Sequence, residues 1–463
     1  MSHWSWYGRG VAAALALAAA GCGSVSAERG HDQVAREVRA RTGHATGWEH
    51  GPPDDARVTA WVASQAAAGL TRARAVEIAL VNNPALQATY EALGVSQADM
   101  VQAGLLSNPT FGADLGLPVS NGNLSELRLS LVQNFLDLFV LQSRKEIARD
   151  QFEADALGVA HQALEVAAEA EAAFVGALAA EQLLADRRAV VEAARAAADL
   201  SARQLEAGNV SALDQSVERA NHEQAKLDLA RDEVARLESR ERVNRALGLS
   251  GATTGWRAAE ELQPLPASDP TLTDLESVAV RQRLDVAMAR RRVDLFAKAV
   301  SLARSTRLFG RLEVGVDMHR DPSGPRVLGP NLVIELPIFD QRQAAIARLE
   351  AQRREQERQL TGTTLDARRE VRLAQAHLMA ARATALHYRD TLLPLRAAIL
   401  EQSQLHYNGM FIGLYQLLAA KQAEIEARKG ALEALRDYWT ARAELARAIG
   451  GALPLEKKKG DRK

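Results

Sequence analysis

The chain writes one order of elements twice, with corresponding points roughly 200 residues apart. Each copy reads helix, strand hairpin, very long helix, glycine turn, long helix. In the first copy a helical spacing of apolar residues starts at Thr71, a residue suited to an N-cap. Asn82-Asn83-Pro84 interrupts it and opens a second helix, which Ser107-Asn108-Pro109 stops. The period then falls from that of a helix to two. Phe111, Ala113, Leu115 and Leu117 alternate with Thr110, Gly112, Asp114 and Gly116. Asn121-Gly122 signals a tight turn, and Leu127, Leu129 and Leu131 then alternate with Glu126, Arg128 and Ser130. The pattern predicts strands over 110–118 and 124–133.

Helical spacing returns over 137–207, about 105 Å of helix at 1.5 Å per residue. Its stripe is Leu157, Ala160, Leu164, Ala167, Phe174 and Leu178, with Glu171 the one exception. Gly208 breaks it. A helix over 211–247 follows, with a seam of Leu213, Val217, Ala220, Leu227, Val234 and Leu237. So short a connection makes the two an antiparallel hairpin. Residues 71–249 form the first repeat, and 250–272, with Pro264, Pro266 and Pro270, form a linker. The second repeat, 273–450, carries strands over 308–319 and 327–338, then helices over 340–408 and 410–449 divided at Gly409. A basic tail, 451–463, ends the chain.

The N-terminus reads as a targeting segment. Val11 to Ala20 is apolar, too short to span a bilayer, and leads into Ala19-Ala20-Gly21-Cys22. Residues 1–21 resemble a bacterial lipoprotein signal peptide, which implies a lipid-modified (palmitate-bearing) Cys22. Gly23 in place of Asp implies sorting to the outer membrane. Residues 22–70 read as an extended leader with little helix. Cys22 is the only cysteine, which excludes a disulfide framework. Beyond it no apolar run is long enough for a transmembrane helix, so a membrane crossing requires a closed β-barrel. Four strands are too few to close one and would leave free edges, so the chain must oligomerise.

Segments in both copies resemble the TolC family of outer-membrane efflux channels. They are Asn83-Pro84-Ala85-Leu86, Ala103-Gly104-Leu105-Leu106-Ser107-Asn108-Pro109, the two strand hairpins, and the turns Leu205–Asp214 and His406–Leu414. The resemblance covers about residues 71–450. It implies a mainly α fold with a small transmembrane β part: a homotrimer pooling twelve strands into one barrel, continued by a helical tunnel through the periplasm. The apolar strand faces would meet lipid, and Asp114, Glu126, Arg128, Arg311, Glu313 and Asp317 a watery lumen. It further implies a periplasmic adaptor (membrane fusion protein) docking at tips around Gly208 and Gly409, and an inner-membrane pump of the RND type. Asp214 would help hold the tip closed against His406, Tyr407 or Tyr415. Tyr415 and Leu418 stand where some relatives place an acidic ring, which points to a partly apolar gate.

The remaining chemistry is negative. Lys and Arg total 57 against 58 Asp and Glu, a formal net charge of −1, which argues against holding nucleic acid by bulk charge. There is no GxxxxGK, GxGxxG, HExxH or GxSxG motif, and the histidines lack metal-ligand spacing. No catalytic residue, metal site or cofactor is expected. The expected function is a passive exit duct in a tripartite efflux system, with heavy-metal cations or drugs as candidate cargo. The alternative is a structural coiled-coil envelope lipoprotein, which explains the helices but not the amphipathic strands.

Overall fold

The computed structural model describes residues 28–48, 52–116, 126–267, 273–320 and 324–453. Cys22, the signal segment, the Asn121-Gly122 turn and the residues after 453 lie outside them. Helices α1 (Glu28–Thr42), α2 (Pro52–Ala67), α3 (Arg72–Asn82) and α4 (Pro84–Ala103) precede strands β1 (Thr110–Gly116) and β2 (Glu126–Asn134). The 71-residue α5 (Leu136–Glu206) and then α6 (Ala212–Leu247) complete the first copy. The second copy runs α7 (Leu275–Gln282), α8 (Leu284–Ser305), β3 (Leu312–Arg320), β4 (Arg326–Ile334), α9 (Gln343–His387), α10 (Leu393–Asn408) and α11 (Leu414–Ile449).

The repeat is visible in how each copy closes. Helices α6 and α11 both end at a left-handed glycine, Gly248 (φ 68°) and Gly450 (φ 83°). Asn83, at the α3–α4 break, donates from Nδ2 to the Ala246 carbonyl at 2.9 Å. Arg283, at the α7–α8 break, donates to the Ala448 carbonyl at 3.2 Å. Orphan carbonyls of each C-terminus are thus satisfied by the start of the same copy. Only glycine fits at 248, where a Cβ would stand 2.4 Å from the Asn82 carbonyl oxygen.

Four expectations need correction. Residues 22–70 are not extended among the described positions: they carry α1 and α2. Among the described positions α1 buries Gly30, Val34 and Val38, and α2 buries Val62 and Ala66; one of these stripes includes a glycine and the other is two residues long, so neither registers as an apolar stripe. Strand β4 stops at Ile334, short of 338, and Pro337 follows with no N–H to extend a ladder. The helix expected over 340–408 starts at Gln343 and widens into a π turn at Tyr388–Leu392. Pro394 cannot donate to the carbonyl four residues back, and the turn absorbs the missing bond. Gly430 on α11 leaves room there, since a Cβ would stand 2.4 Å from the Tyr388 hydroxyl. Lastly, the α6 seam does not pack within the chain. Leu213, Val217, Leu227, Val234 and Leu237 are exposed, while Glu218, Ala225, Ser239 and Val243 are buried. Heptad spacing says that a helix has a partner, not whose helix it is.

The chain divides into two compact units. One comprises Met1–Gln33, Glu91–Ala156 and Met288–Leu360 and contains the sheet. There Lys298 pairs with Asp150 at 2.5 Å, and Arg291 with Glu153 at 2.9 Å. The other comprises Val34–Tyr90, Leu157–Ala287 and Thr361–Lys463. It holds the largest fully buried side chains, among them Tyr90, Phe174, Leu247, Leu284, Tyr438 and Ile449. In it α5 and α6 run antiparallel, tied by Arg187–Asp232 (2.8 Å), Glu181–Arg240 (2.8 Å) and Glu169–Arg245 (3.1 Å). The 250–267 stretch is anchored: the Ala259 N–H donates to the Leu70 carbonyl, and Trp439 Nε1 to the Gln263 carbonyl, each at 2.8 Å. Among the described residues no helix is long and apolar enough to cross a membrane.

Candidate functional site

The four strands form one antiparallel sheet in the order β1-β2-β3-β4, so β1 and β4 are its edges. Register aligns the alternating residues into rows across all four strands. Phe111, Leu131, Val316 and Pro330 form one row, and Ala113, Leu129, Met318 and Leu328 the next. Pro330, which cannot donate to a ladder, sits on an edge strand, where it is tolerated. This apolar face is bare: Phe111 is 66% exposed, Leu328 73% and Leu332 61%. A water-facing surface of this kind is costly, about 25 cal/mol per Å² of apolar area left uncovered.

The opposite face is polar. Asp114 pairs with Arg128 and that with His319, and Ser130 with Asp317. Glu126 contacts Arg128 at 3.2 Å and His319 at 3.4 Å. Five of the six residues expected to face a lumen, Asp114, Glu126, Arg128, Glu313 and Asp317, alternate onto this side; Arg311 precedes β3 and lies 3.5 Å from Glu313. At the end where the strands join helices, Phe135, Phe139, Phe309 and Phe339 are all exposed. Aromatic girdles of this kind flank the apolar band of transmembrane barrels. The sequence reading missed these four because they lie outside the alternating runs.

The two helix reversals differ. After α5, Gly208 takes φ 75°, as expected, and the Asn209 N–H donates to the Gln204 carbonyl at 2.8 Å. At the second reversal Gly409 has an ordinary φ of −80°, and Met410 takes the left-handed position with φ 62°. Strain therefore falls on a residue with a Cβ, at a cost of about 1–2 kcal/mol. The Phe411 N–H closes this turn on the His406 carbonyl at 2.9 Å, and the Phe411 ring sits edge-on to His406 at 5.9 Å. Met410 is 93% exposed and Phe411 81%.

Asp214 does not reach the other hairpin. Its carboxylate accepts from the Ser211 N–H at 3.2 Å and hydroxyl at 2.7 Å, while the Ser211 oxygen accepts from the Asp214 N–H at 3.1 Å. This is a capping box at the start of α6. The Ser-x-x-Asp spacing was there to be read. No hydrogen bond among the described residues joins Asp214 to His406, Tyr407 or Tyr415; the Tyr415 hydroxyl is buried without a partner.

Burial acts on charged groups of the helical unit with opposite outcomes. Burial works against Arg283 and Asp285, but their mutual hydrogen bonds (2.7 and 3.0 Å) and the Arg283–Glu370 contact (2.6 Å) outweigh it. The Arg283 pKa rises and the Asp285 carboxyl is held below its usual range. Glu171, the exception in the α5 stripe, is the reverse. Burial pushes its carboxyl up, against the pull of Arg72 at 3.7 Å, Arg442 and His44. An acid raised in the fold contributes stability that is lost as pH rises through its folded pKa. Glu171→Gln is therefore expected to raise Tm at pH 8, with the gain shrinking at pH 4. Thermal melts at both values check this; a variant less stable than wild type at pH 8 contradicts it.

No family model matches the sequence, and no curated protein does. Solved structures do match. A membrane protein from Pseudomonas aeruginosa superposes with TM-score 0.71 at 20% identity, over 82% of this chain and 93% of that one. The Campylobacter jejuni CmeC outer membrane channel gives 0.71 at 16% identity, over 83% and 87%. The open state of the Neisseria gonorrhoeae MtrE outer membrane channel gives 0.67 at 19%, over 82% and 89%. With its amphipathic four-stranded sheet and paired long hairpins, the chain has the fold of the TolC family of outer-membrane channels.

Proposed function

We propose that three copies of this chain close one twelve-stranded barrel in the outer membrane and form a passive exit duct for a tripartite efflux system. The sheet carries the reading. Its apolar face is uncovered and its two edges are free, a combination that is stable in lipid only if each β1 pairs with a neighbour's β4. The exposed α6 stripe supports the same assembly, since a neighbouring copy would cover it. The likeness to CmeC and MtrE, both outer membrane channels, adds support. Purified protein should run as a heat-resistant trimer and conduct ions in planar bilayers. A soluble, non-conducting coiled-coil oligomer would overturn the reading and favour an envelope spacer instead.

Within that reading, the turns at Gly208 and Gly409 dock a periplasmic adaptor, presenting Leu213, Met410 and Phe411, and an inner-membrane RND-type pump delivers the cargo, heavy-metal cations or drugs. Lipid on Cys22 adds about 0.8 kcal/mol of membrane affinity per buried methylene. His406, Tyr407 and Tyr415 form a partly apolar gate, while Asp214 acts by holding its own turn. Asp214→Ala is expected to cost about 1 kcal/mol of helix capping. A substitution of Gly409 by tryptophan, driven into the Phe411 ring 2.8 Å from the Cβ position, should block export and leave the trimer intact. Normal export by that variant would count against docking at this turn.

A further inference from the structure

The register sets two arginines side by side on the apolar face, at the end of the sheet remote from the helices. Arg320 ends β3, Arg326 begins β4, and they are direct cross-strand partners. Alternation puts Arg320 on the side of Val316 and Met318, and Arg326 on the side of Leu328 and Leu332. Leu127 and Leu115 continue the same row. Both arginines are exposed, and among the described residues neither has a carboxylate within ion-pair distance. The carboxylate of Glu126, at the same level, belongs to the opposite face, where it meets Arg128 and His319. Like charges directly opposite on neighbouring strands repel. An anion between them would offset that repulsion.

The depth of the pair identifies the anion. The nine residues of β3 span about 30 Å, or about 23 Å along the membrane normal when tilted as barrel strands are. That matches an apolar band about 25 Å tall. With the exposed phenylalanines at one rim, the arginines stand at the other, where hydrocarbon gives way to headgroups. Guanidinium forks bind phosphate oxygens bidentately, and residues opposite each other across strands have Cβ atoms about 5 Å apart, close enough to clasp one phosphate from two sides.

We propose that Arg320 and Arg326 bind the phosphate of a lipid headgroup in the outer leaflet, one site per protomer. This rests on the barrel reading above. The test uses the purified full-length channel, lipopolysaccharide, and the same lipopolysaccharide with its phosphates removed. Wild type should retain the phosphorylated lipid at least tenfold more strongly than the dephosphorylated one, and R320Q/R326Q should lose that preference. R128Q, on the lumen face, should keep it. Equal retention of both lipids by wild type, or an unchanged preference in R320Q/R326Q, would overturn the site. So would inorganic phosphate alone displacing the lipid at equal concentration, which would mark a free-phosphate site. Conductance is measured on the same samples. Wild type that does not conduct sinks the barrel reading, whereas variants that conduct normally with unchanged lipid preference sink only this site.

Discussion

Leu131→Arg should abolish insertion of the barrel while leaving the helices folded. Leu131 lies mid-strand in β2, between Phe111 and Val316 on the apolar face. An arginine at the bilayer midplane costs about 2–4 kcal/mol in a barrel wall. Three copies in one barrel would pay this three times, against a net stability of about 5–15 kcal/mol for an ordinary domain. Ser130→Arg is the control. One residue earlier, it points to the polar face, opposite Asp317, and should insert and conduct. Heat-resistant trimer on gels and conductance in planar bilayers measure both. If Leu131→Arg inserts and conducts as wild type does, the apolar face does not meet lipid.

The second large effect is in the helical unit. Arg283→Leu removes the donor that joins Asp285, Glu370 and the Ala448 carbonyl. Removing one partner of a buried pair strands the other charge, and about 3–5 kcal/mol is expected at pH 7. The sign with pH follows from Asp285. Its folded pKa is depressed, so the stabilisation is present above its unfolded value near 3.9 and is lost as pH falls through the folded value. Wild type and Arg283→Leu should therefore differ most at neutral pH and converge below about pH 4. Denaturant titrations at several pH values test this. The double variant Arg283→Leu with Asp285→Leu should recover part of the loss; a double variant worse than the single one would show that the pair is not the source.

The elements that could be read early share one property: their signal is local. The alternation of Phe111, Ala113 and Leu115 against Asp114 needs only the two-residue pleat, and Gly208 needs only a helix that must reverse. The elements misread have mixed causes, some distant and some local. The Gly409 turn puts the left-handed residue at Met410 because the Phe411 N–H closes on the His406 carbonyl, and composition favours the glycine regardless. Helices α1 and α2 bury two side chains each, and only the surface they pack on makes those into a face. The family pattern points Asp214 at a partner across the tip, whereas Ser211, three residues away, binds its carboxylate.

Periodicity by itself determined the duplicated order of elements and the two faces of the strands. Those follow from backbone geometry, which repeats every 2 or 3.6 residues whatever surrounds it. The tertiary structure alone decided which strand neighbours which, and so which charges meet. Arg320 and Arg326 are six positions apart in a turn-rich stretch with nothing to mark them as a pair. Register across β3 and β4 makes them adjacent, on a face whose other members are apolar. The α6 stripe is the same lesson at larger scale: its spacing announces a partner, but only the packed chain reveals that the partner is not its own hairpin.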